Sequence, residues 1–255
     1  MASLGLKSLH ILHSEAATGW GGQEIRVFQE SQLLLEKGHR VSIVCQPNSP
    51  LAERCQAFQQ SGSGSSRRFG LYPIRMGGPL SAGAFLALYR RIGAIRPHIL
   101  HTHSSIDSWL VSFCGKLLGI PIVRSRHVSI PVKNYIPKNL IYSYFPDRII
   151  ASGEMVGSLI SGLNGVSREK VVSIPAGVDM GRFDRNIDGE TFRRELNLSA
   201  NQPLIGKIGV IRKWKGHEHF LDAVPRILEK FPNAHFVIAG GGPGFEQIRR
   251  KTRDK

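Results

Sequence analysis

The sequence is poor in cysteine, with three in 255 residues, and it contains no Cys-x-x-Cys or Cys/His metal-ligand spacing. A disulfide-stapled miniprotein is therefore excluded. Cys45, Cys55 and Cys114 cannot all pair, and each sits in an apolar or helical setting that suits a reduced thiol in a cytosolic protein. Long apolar runs are also missing. A spanning helix needs about 20 apolar residues, and the best stretch, residues 109–123, is interrupted by Lys116 and Pro121. The first apolar stretch, residues 9–12, is too short for a secretory signal and is followed at once by His13 and Glu15. No His-Glu-x-x-His helix occurs, and no bound metal is expected. Acids are scarce: 19 Asp+Glu against 34 Lys+Arg leave a formal net charge of +15. What is present, 41% hydrophobic and 21% charged residues, is the composition of a globular chain with a full core.

The positive charge is unevenly placed. Residues 61–150 carry twelve Lys/Arg (Arg67, Arg68, Arg75, Arg90, Arg91, Arg96, Lys116, Arg124, Arg126, Lys133, Lys138, Arg148) and only two acids, Asp107 and Asp147. A region this lopsided suggests a polyanionic partner: nucleic acid, an anionic membrane surface or a phosphorylated substrate. No aromatic-rich basic sheet face or recognition helix accompanies the charge, so nucleic acid is not expected.

Short apolar runs alternate with amphipathic segments. Residues 7–13, 40–45, 71–75, 98–101, 121–124, 148–151 and 171–174 read as buried strands that end at turn formers. Residues 22–37, 80–95, 105–118, 135–145 and 154–163 read as helices, with Gly38 and Gly119 placed to stop two of them. This rhythm predicts an α/β fold, a doubly wound parallel sheet covered on both faces. Residues 62–68 (Gly-Ser-Gly-Ser-Ser-Arg-Arg) read as a flexible basic loop. A turn-rich break follows residue 174, and the alternation then restarts: helix 189–196, strand 204–209, helix 216–230, strand 234–239, and a Gly-Gly-Gly-Pro-Gly turn opening another helix. The expected organisation is a first domain over 1–174, a linker over 175–182 and a second domain over 183–255. That second domain is roughly half of the about 100 to 150 residues usual for such a unit.

Several strand-to-helix junctions carry polar chemistry. Gly21-Gly22-Gln23-Glu24 follows the first strand, where glycines let backbone N–H groups approach an anion at a helix N-terminus. A tight turn with a first-turn glutamate explains the same residues equally well. His101-Thr102-His103 ends another strand, and His127 follows a third with Arg124 and Arg126 beside it. Open α/β sheets bind ligands at these carboxyl edges. Two flanking arginines favour an anionic ligand and a neutral imidazole, which can accept a proton or donate a hydrogen bond. For His103, a satisfied polar residue at a strand end is an equal alternative. In the second region Arg212, Lys213 and Lys215 precede a helix N-terminus, a combination that suits a diphosphate. Gly241 and Gly242 end the next strand, where a ligand could approach backbone closely or where the chain simply turns.

In order and spacing these pieces resemble the retaining glycosyltransferases of GT-B fold known as family four, glycosyl transferases group 1. The matching residues are Gly21-Gly22-Gln23-Glu24 (a Gly-Gly-x-Glu loop), His101-Thr102-His103 and the strand 123–127 ending in His127. Further on they are Ser173-Ile174-Pro175-Ala176-Gly177-Val178-Asp179, Gly209 to Gly216, and Ala239 to Pro243. The resemblance implies two Rossmann-like domains facing across a cleft, the first for a sugar or lipid-linked acceptor and the second for a nucleotide-sugar donor. It implies transfer to an acceptor hydroxyl with retention, no divalent metal and no other cofactor. The setting would be cell-surface polysaccharide, lipopolysaccharide or glycolipid synthesis, in the cytoplasm or peripherally on the inner face of the membrane.

On that pattern Lys215 is the cation at the leaving group, with Arg212 beside it, and His127 lies by the reacting sugar across the groove. Gly21, Gly22, Glu24, His103, Arg126, Gly241 and Gly242 line the substrates. Two features depart from the family. Val210 stands where the phosphate loop has its arginine, with Arg212 two positions on. The downstream motif of two glutamates with seven residues between them does not follow the glycine turn. The expectation is a second domain cut short, with a non-catalytic remnant that binds acceptor or anionic membrane as the alternative.

Overall fold

The structure is a computed structural model and describes residues 8–132, 139–181, 183–184 and 186–253. The chain divides into two units, Met1–Gly177 and Val178–Lys255.

In the first unit seven strands form one all-parallel sheet: β1 (His10–Glu15), β2 (Arg40–Cys45), β3 (Phe69–Pro73), β4 (Ile99–Thr102), β5 (Ile122–Arg126), β6 (Arg148–Ala151) and β7 (Val171–Ser173). Their order is β3-β2-β1-β4-β5-β6-β7. The chain thus builds outward from β1 in one direction and returns to start β4 on its other side. Ligands of open α/β sheets bind outside the carboxyl ends of strands at such a reversal.

The helices are α1 (Gly22–Glu36), α2 (Pro50–Gln60), α3 (Ala82–Ile95), α4 (Ser105–Leu118), α5 (Leu140–Ser143) and α6 (Glu154–Ser161). Strand side chains alternate between faces, and each face has its own core. Val41, Ile43 and Cys45 pack under α1 and α2 with Val27, Leu35 and Leu51. Leu12, Val44, Leu100 and Ile122 pack under α3 and α4 with Leu88, Ile92, Leu110 and Val111. Full burial of each such side chain favours folding by about 1.5–3 kcal/mol, which is why these strands read as near-continuous apolar runs. All three cysteines are free and buried.

Strands 40–45 and 148–151 and helix 105–118 fall where expected; α4 ends on Gly119 in the left-handed region at φ 67°. Helix α2 was not foreseen. Pro50 occupies its first turn and the Ser49 hydroxyl accepts from the Ala52 N–H at 3.2 Å, so a proline that looks like a break is an N-terminal start signal. Strand β3 lies two residues earlier than its apolar pattern suggests, in register Val41↔Phe69 with β2. The basic loop is tighter than expected, since Ser66–Arg68 form a 3-10 turn with Ser66 buried. The expected helix over 135–145 is α5 in its described part; its first residues, with Lys133 and Lys138, lie outside the described residues, as does Arg182 of the linker.

The second unit contains α7 (Glu190–Glu195), β8 (Leu204–Ile208), α8 (His217–Leu228), β9 (His235–Ala239) and α9 (Phe245–Arg253). Strands β8 and β9 pair in parallel. Ile211, Leu221 and Ile248 form its buried cluster with Ile238 against it. Among the described residues, no helix is long and apolar enough to cross a membrane.

Candidate functional site

The register His13↔His101 between β1 and β4 places two histidines side by side at the sheet reversal. His103, two residues beyond His101, shares its face. The His13 Nδ1 and His103 Nε2 atoms are 2.9 Å apart, and His103 Nδ1 lies 3.0 Å from His127 Nε2, one residue past β5. Three imidazoles are thus hydrogen-bonded in series from the interior to the carboxyl edge. The His101 ring centroid lies 4.2 Å from that of His103 with the planes tilted by 35°, and His101 pairs with the Ser125 hydroxyl at 2.8 Å. His13, His101 and His103 are buried, and His127 is half-buried.

Burial is the main reason that these rings resist protonation: His13 and His127 are held down at about 4, and His101 and His103 well below the ordinary value. For His127, Arg26, Arg124 and Arg126 add positive charge nearby. The ladder is neutral at pH 7.

The other face of the sheet carries a second polar group. Asp107, fully buried on α4, accepts from the Ser14 hydroxyl at 2.7 Å, from the His103 N–H at 3.0 Å and from the Ser104 hydroxyl. Burial raises its pKa against those hydrogen bonds and the attraction of Arg124. Arg124 is 1% exposed; it donates to Ser104 O and to the Tyr142 hydroxyl, both at 3.1 Å. It therefore acts on His127 through its field, and the contact with an anionic ligand that its sequence position suggests does not arise. At the end of β1, Glu15 accepts from the Ala17 N–H at 2.8 Å and from Gln23 Nε2, and burial together with Asp107 raises its pKa.

The expected loop residues sit at the start of α1. Gly21 caps the helix, and its N–H donates to Glu24 Oε2 at 2.7 Å, so Glu24 spends that oxygen on the helix end. Space around Gly22 is open, with nothing within 4 Å of where a Cβ would stand. Arg126 is tied to its own loop by a 2.7 Å hydrogen bond to Ile130 O. His103 lies behind His127 at 3% exposure. Sequence reading missed His13 and Glu15 as site residues. Their only signal was their being a histidine and a glutamate in a strand whose six residues are all buried.

In the second unit the chain leaves β8, passes Arg212, and makes one 3-10 turn at Lys213–Lys215. It then enters α8 through Gly216 at φ 70°. Arg212, Lys213 and Lys215 are all exposed, and the Arg212 guanidinium lies over the Trp214 ring at 5.4 Å. A cavity of about 140 Å³ is lined by Arg212 and Lys213, by His217 and Glu218 at the start of α8, and by Gly244 and Gln247. Lys215 is on the same turn outside that lining. His217 is 3% exposed, and among the described residues neither ring nitrogen has a hydrogen-bond partner. The Glu218 carboxylate in this wall is occupied by Lys251 Nζ at 2.6 Å and by Gln247 at 3.0 Å.

Gly241 is exposed and unobstructed, whereas Gly242 packs on the neighbouring loop: at φ 130° its Cβ would stand 3.0 Å from Ile211 O. Gly240 is tighter still, with a Cβ 1.9 Å from Gly209 O. This glycine run is shaped by close backbone approach within the unit.

As for metals, His13, His101 and His103 each bring a nitrogen within 4.8 Å of the others. The 2.9 Å His13–His103 contact, however, needs a proton between its two nitrogens, which a shared metal would displace.

A seven-stranded parallel sheet with polar residues at its reversal point, followed by a second parallel α/β unit, defines the GT-B class of fold. Residues 20–182 match the family model Glycosyltransferase Family 4, and residues 188–255 match Glycosyl transferases group 1. The chain belongs to this glycosyltransferase family. A D-inositol 3-phosphate glycosyltransferase of Actinosynnema mirum is 24% identical over 90% of this chain and 60% of its own length. An Escherichia coli UDP-Gal:alpha-D-GlcNAc-diphosphoundecaprenol alpha-1,3-galactosyltransferase is 24% identical over 93% of this chain and 64% of its own. Among solved structures, Anabaena Alr3699/HepE in complex with UDP aligns with a TM-score of 0.77 at 13% identity, covering 96% of this chain and 65% of that one. A Rickettsia africae glycosyltransferase aligns at 0.76 and 16% identity, covering 97% and 65%. The chain spans about 60% of the length of the Actinosynnema relative.

Proposed function

We propose that this chain serves transfer of a sugar from a nucleoside diphosphate sugar to an acceptor hydroxyl, with retention at the anomeric carbon. The acceptor is a glycolipid or cell-surface polysaccharide precursor. The new bond joins the acceptor oxygen to the anomeric carbon as the bond to the diphosphate breaks, and the hydroxyl proton leaves with the departing phosphate. The observation that carries this reading is the basic turn after β8. Arg212, Lys213 and Lys215 stand exposed ahead of the α8 N-terminus, where fixed charge and helix dipole act together on a diphosphate. Charge placed where charge develops is usually the largest catalytic contribution, and Lys215 and Arg212 are assigned that role. In the first unit His127 meets the sugar or acceptor, with the Gly21–Gly22 backbone and Arg126 beside it. A relative that uses UDP-Gal and a neighbour that holds UDP support a nucleotide donor.

An anionic membrane is the proposed docking surface for the acceptor. Helix α3 exposes Leu86, Tyr89, Arg90 and Arg91, and α4 exposes Phe113, Lys116 and Leu117, so cations and apolar groups share these helices.

A ligand-detected binding screen of UDP-, GDP- and ADP-sugars tests the reading. It predicts that one of these nucleotide classes binds and is displaced by salt. Salt-sensitive RNA or DNA binding with no affinity for any nucleotide sugar would overturn it.

A further inference from the structure

A neutral imidazole has one N–H and one bare nitrogen. His103 touches His13 through Nε2 and His127 through Nδ1, so it must donate at one nitrogen and accept at the other. Each neighbour must then match. Only two arrangements satisfy both contacts: all three rings protonated on Nδ1, or all three on Nε2.

These arrangements differ at the two ends of the ladder. The inner end is His13 Nε2, which is buried and has no hydrogen-bond partner among the described residues. With every proton on Nε2, that atom is a buried N–H with nowhere to donate; with every proton on Nδ1, it is a bare lone pair. Orphaned N–H groups are the rarer defect in protein interiors, so the Nδ1 arrangement is favoured. The outer end is His127 Nδ1, and no described residue bonds it. Three cations bear on His127: Arg26 from α1, and Arg124 and Arg126 from β5. They oppose the doubly protonated ring that would dissolve the distinction.

We propose that the buried His13–His103 pair locks His127 in its Nδ1–H tautomer, so that the ring presents a hydrogen-bond donor at the sheet edge and does not act as a base. His13 and His103 are positioning residues. The consequence for chemistry rests on the reading that His127 meets the sugar: the ligand atom facing it is then an acceptor oxygen, and no proton is withdrawn there. The acceptor's hydroxyl proton goes elsewhere, to the departing phosphate.

The test is a long-range ¹H–¹⁵N correlation spectrum of the histidine rings in the full chain, with signals assigned through His127→Gln. A free histidine in water prefers Nε2–H, which makes the opposite result diagnostic. Expected are protonated Nδ1 atoms on His13, His103 and His127 together; a protonated Nε2 on His127 overturns the proposal. In His13→Phe the inner donor is gone, and His127 should shift toward Nε2–H. A ring that keeps Nδ1–H in that variant overturns the relay, and should the variant not fold, the unmodified protein's spectrum decides alone. Adding UDP-glucose and then glucose to the labelled protein separates the two readings. Silence at His127 would remove its assigned contact with the sugar and leave the tautomer assignment standing.

Discussion

In the first unit His13, His103 and His127 are neutral and bonded in series at the sheet's carboxyl edge, the first two buried and the last half-buried. In the second, the corresponding edge carries three exposed cations, Arg212 ahead of one 3-10 turn and Lys213 and Lys215 on it, and the ring nitrogens of the nearby buried His217 have no hydrogen-bond partner among the described residues. Dry, mutually bonded groups are prebuilt, so a ligand meets a fixed pattern of donors. Exposed cations on a short turn are organised by the anion they bind. The difference suits the two partners proposed: a neutral sugar read by hydrogen bonds, and a diphosphate held by charge.

Substitutions in the two units should therefore fail differently. The largest effect is expected at Gly240, where a Cβ would stand 1.9 Å from Gly209 O at φ 156°. Gly240→Ala should destabilise the second unit by at least about 3 kcal/mol, whereas Gly22→Ala, in open space, should change stability by less than about 0.5 kcal/mol. Urea unfolding monitored by tryptophan fluorescence, with Trp20 and Trp109 in the first unit and Trp214 in the second, compares them, and equal costs would mean that the glycine turn is not shaped by backbone approach.

The second prediction uses pH. His13 is neutral in the fold, with a pKa near 4 against 6.5 for an ordinary histidine. As pH falls from 6.5 to 4 the unfolded chain takes up a proton that the fold refuses, so stability drops, by at most about 3 kcal/mol for this ring. His13→Phe lacks that loss. The stability gap between the parent and this variant should narrow in the parent's disfavour across this window; a pH-independent gap would mean that His13 is not held neutral by burial.

Third, Lys215→Ala should lower turnover about 10²-fold, as removing a charge-stabilising group does. Initial rates with the nucleotide sugar found in the screen measure it, and unchanged turnover would place the phosphate site elsewhere. The smallest effect is expected at the membrane face. Sedimentation with anionic vesicles should exceed that with neutral ones, and Arg90→Ala should weaken binding about fivefold, near 1 kcal/mol per surface cation. Equal binding to both vesicles removes the membrane proposal.

These contrasts also mark what was legible in the sequence. Strands 40–45 and 148–151 could be read because, after an exposed arginine at the start of each, parallel strands buried on both faces are mostly apolar and stop near turn residues. Helix α2 escaped because its buried positions are only Leu51, Ala52 and Cys55, too few to mark a stripe. His103 and His127 were legible as strand-end residues. Their chain through His13 was not, because it depends on β1 lying beside β4 in the register His13↔His101, a long-range fact that no local pattern encodes. Arg124 misled for the same reason. Its neighbour in sequence, Ser125, faces the histidines, while Arg124 itself turns to the opposite face and Tyr142. In the second unit the basic turn was visible as a run of cations, but the burial of His217 beside it was not.

The central claim is that the turn at Arg212–Lys215 seats the donor's diphosphate. Calorimetric titration of the chain with its nucleotide sugar, beside Arg212→Ala and Lys215→Ala and at two salt concentrations, tests it most directly. The account predicts at least about tenfold weaker binding in each variant, equal to about 1.4 kcal/mol, with a smaller salt dependence than the parent's. Parent-like affinity and salt dependence in both variants would contradict it.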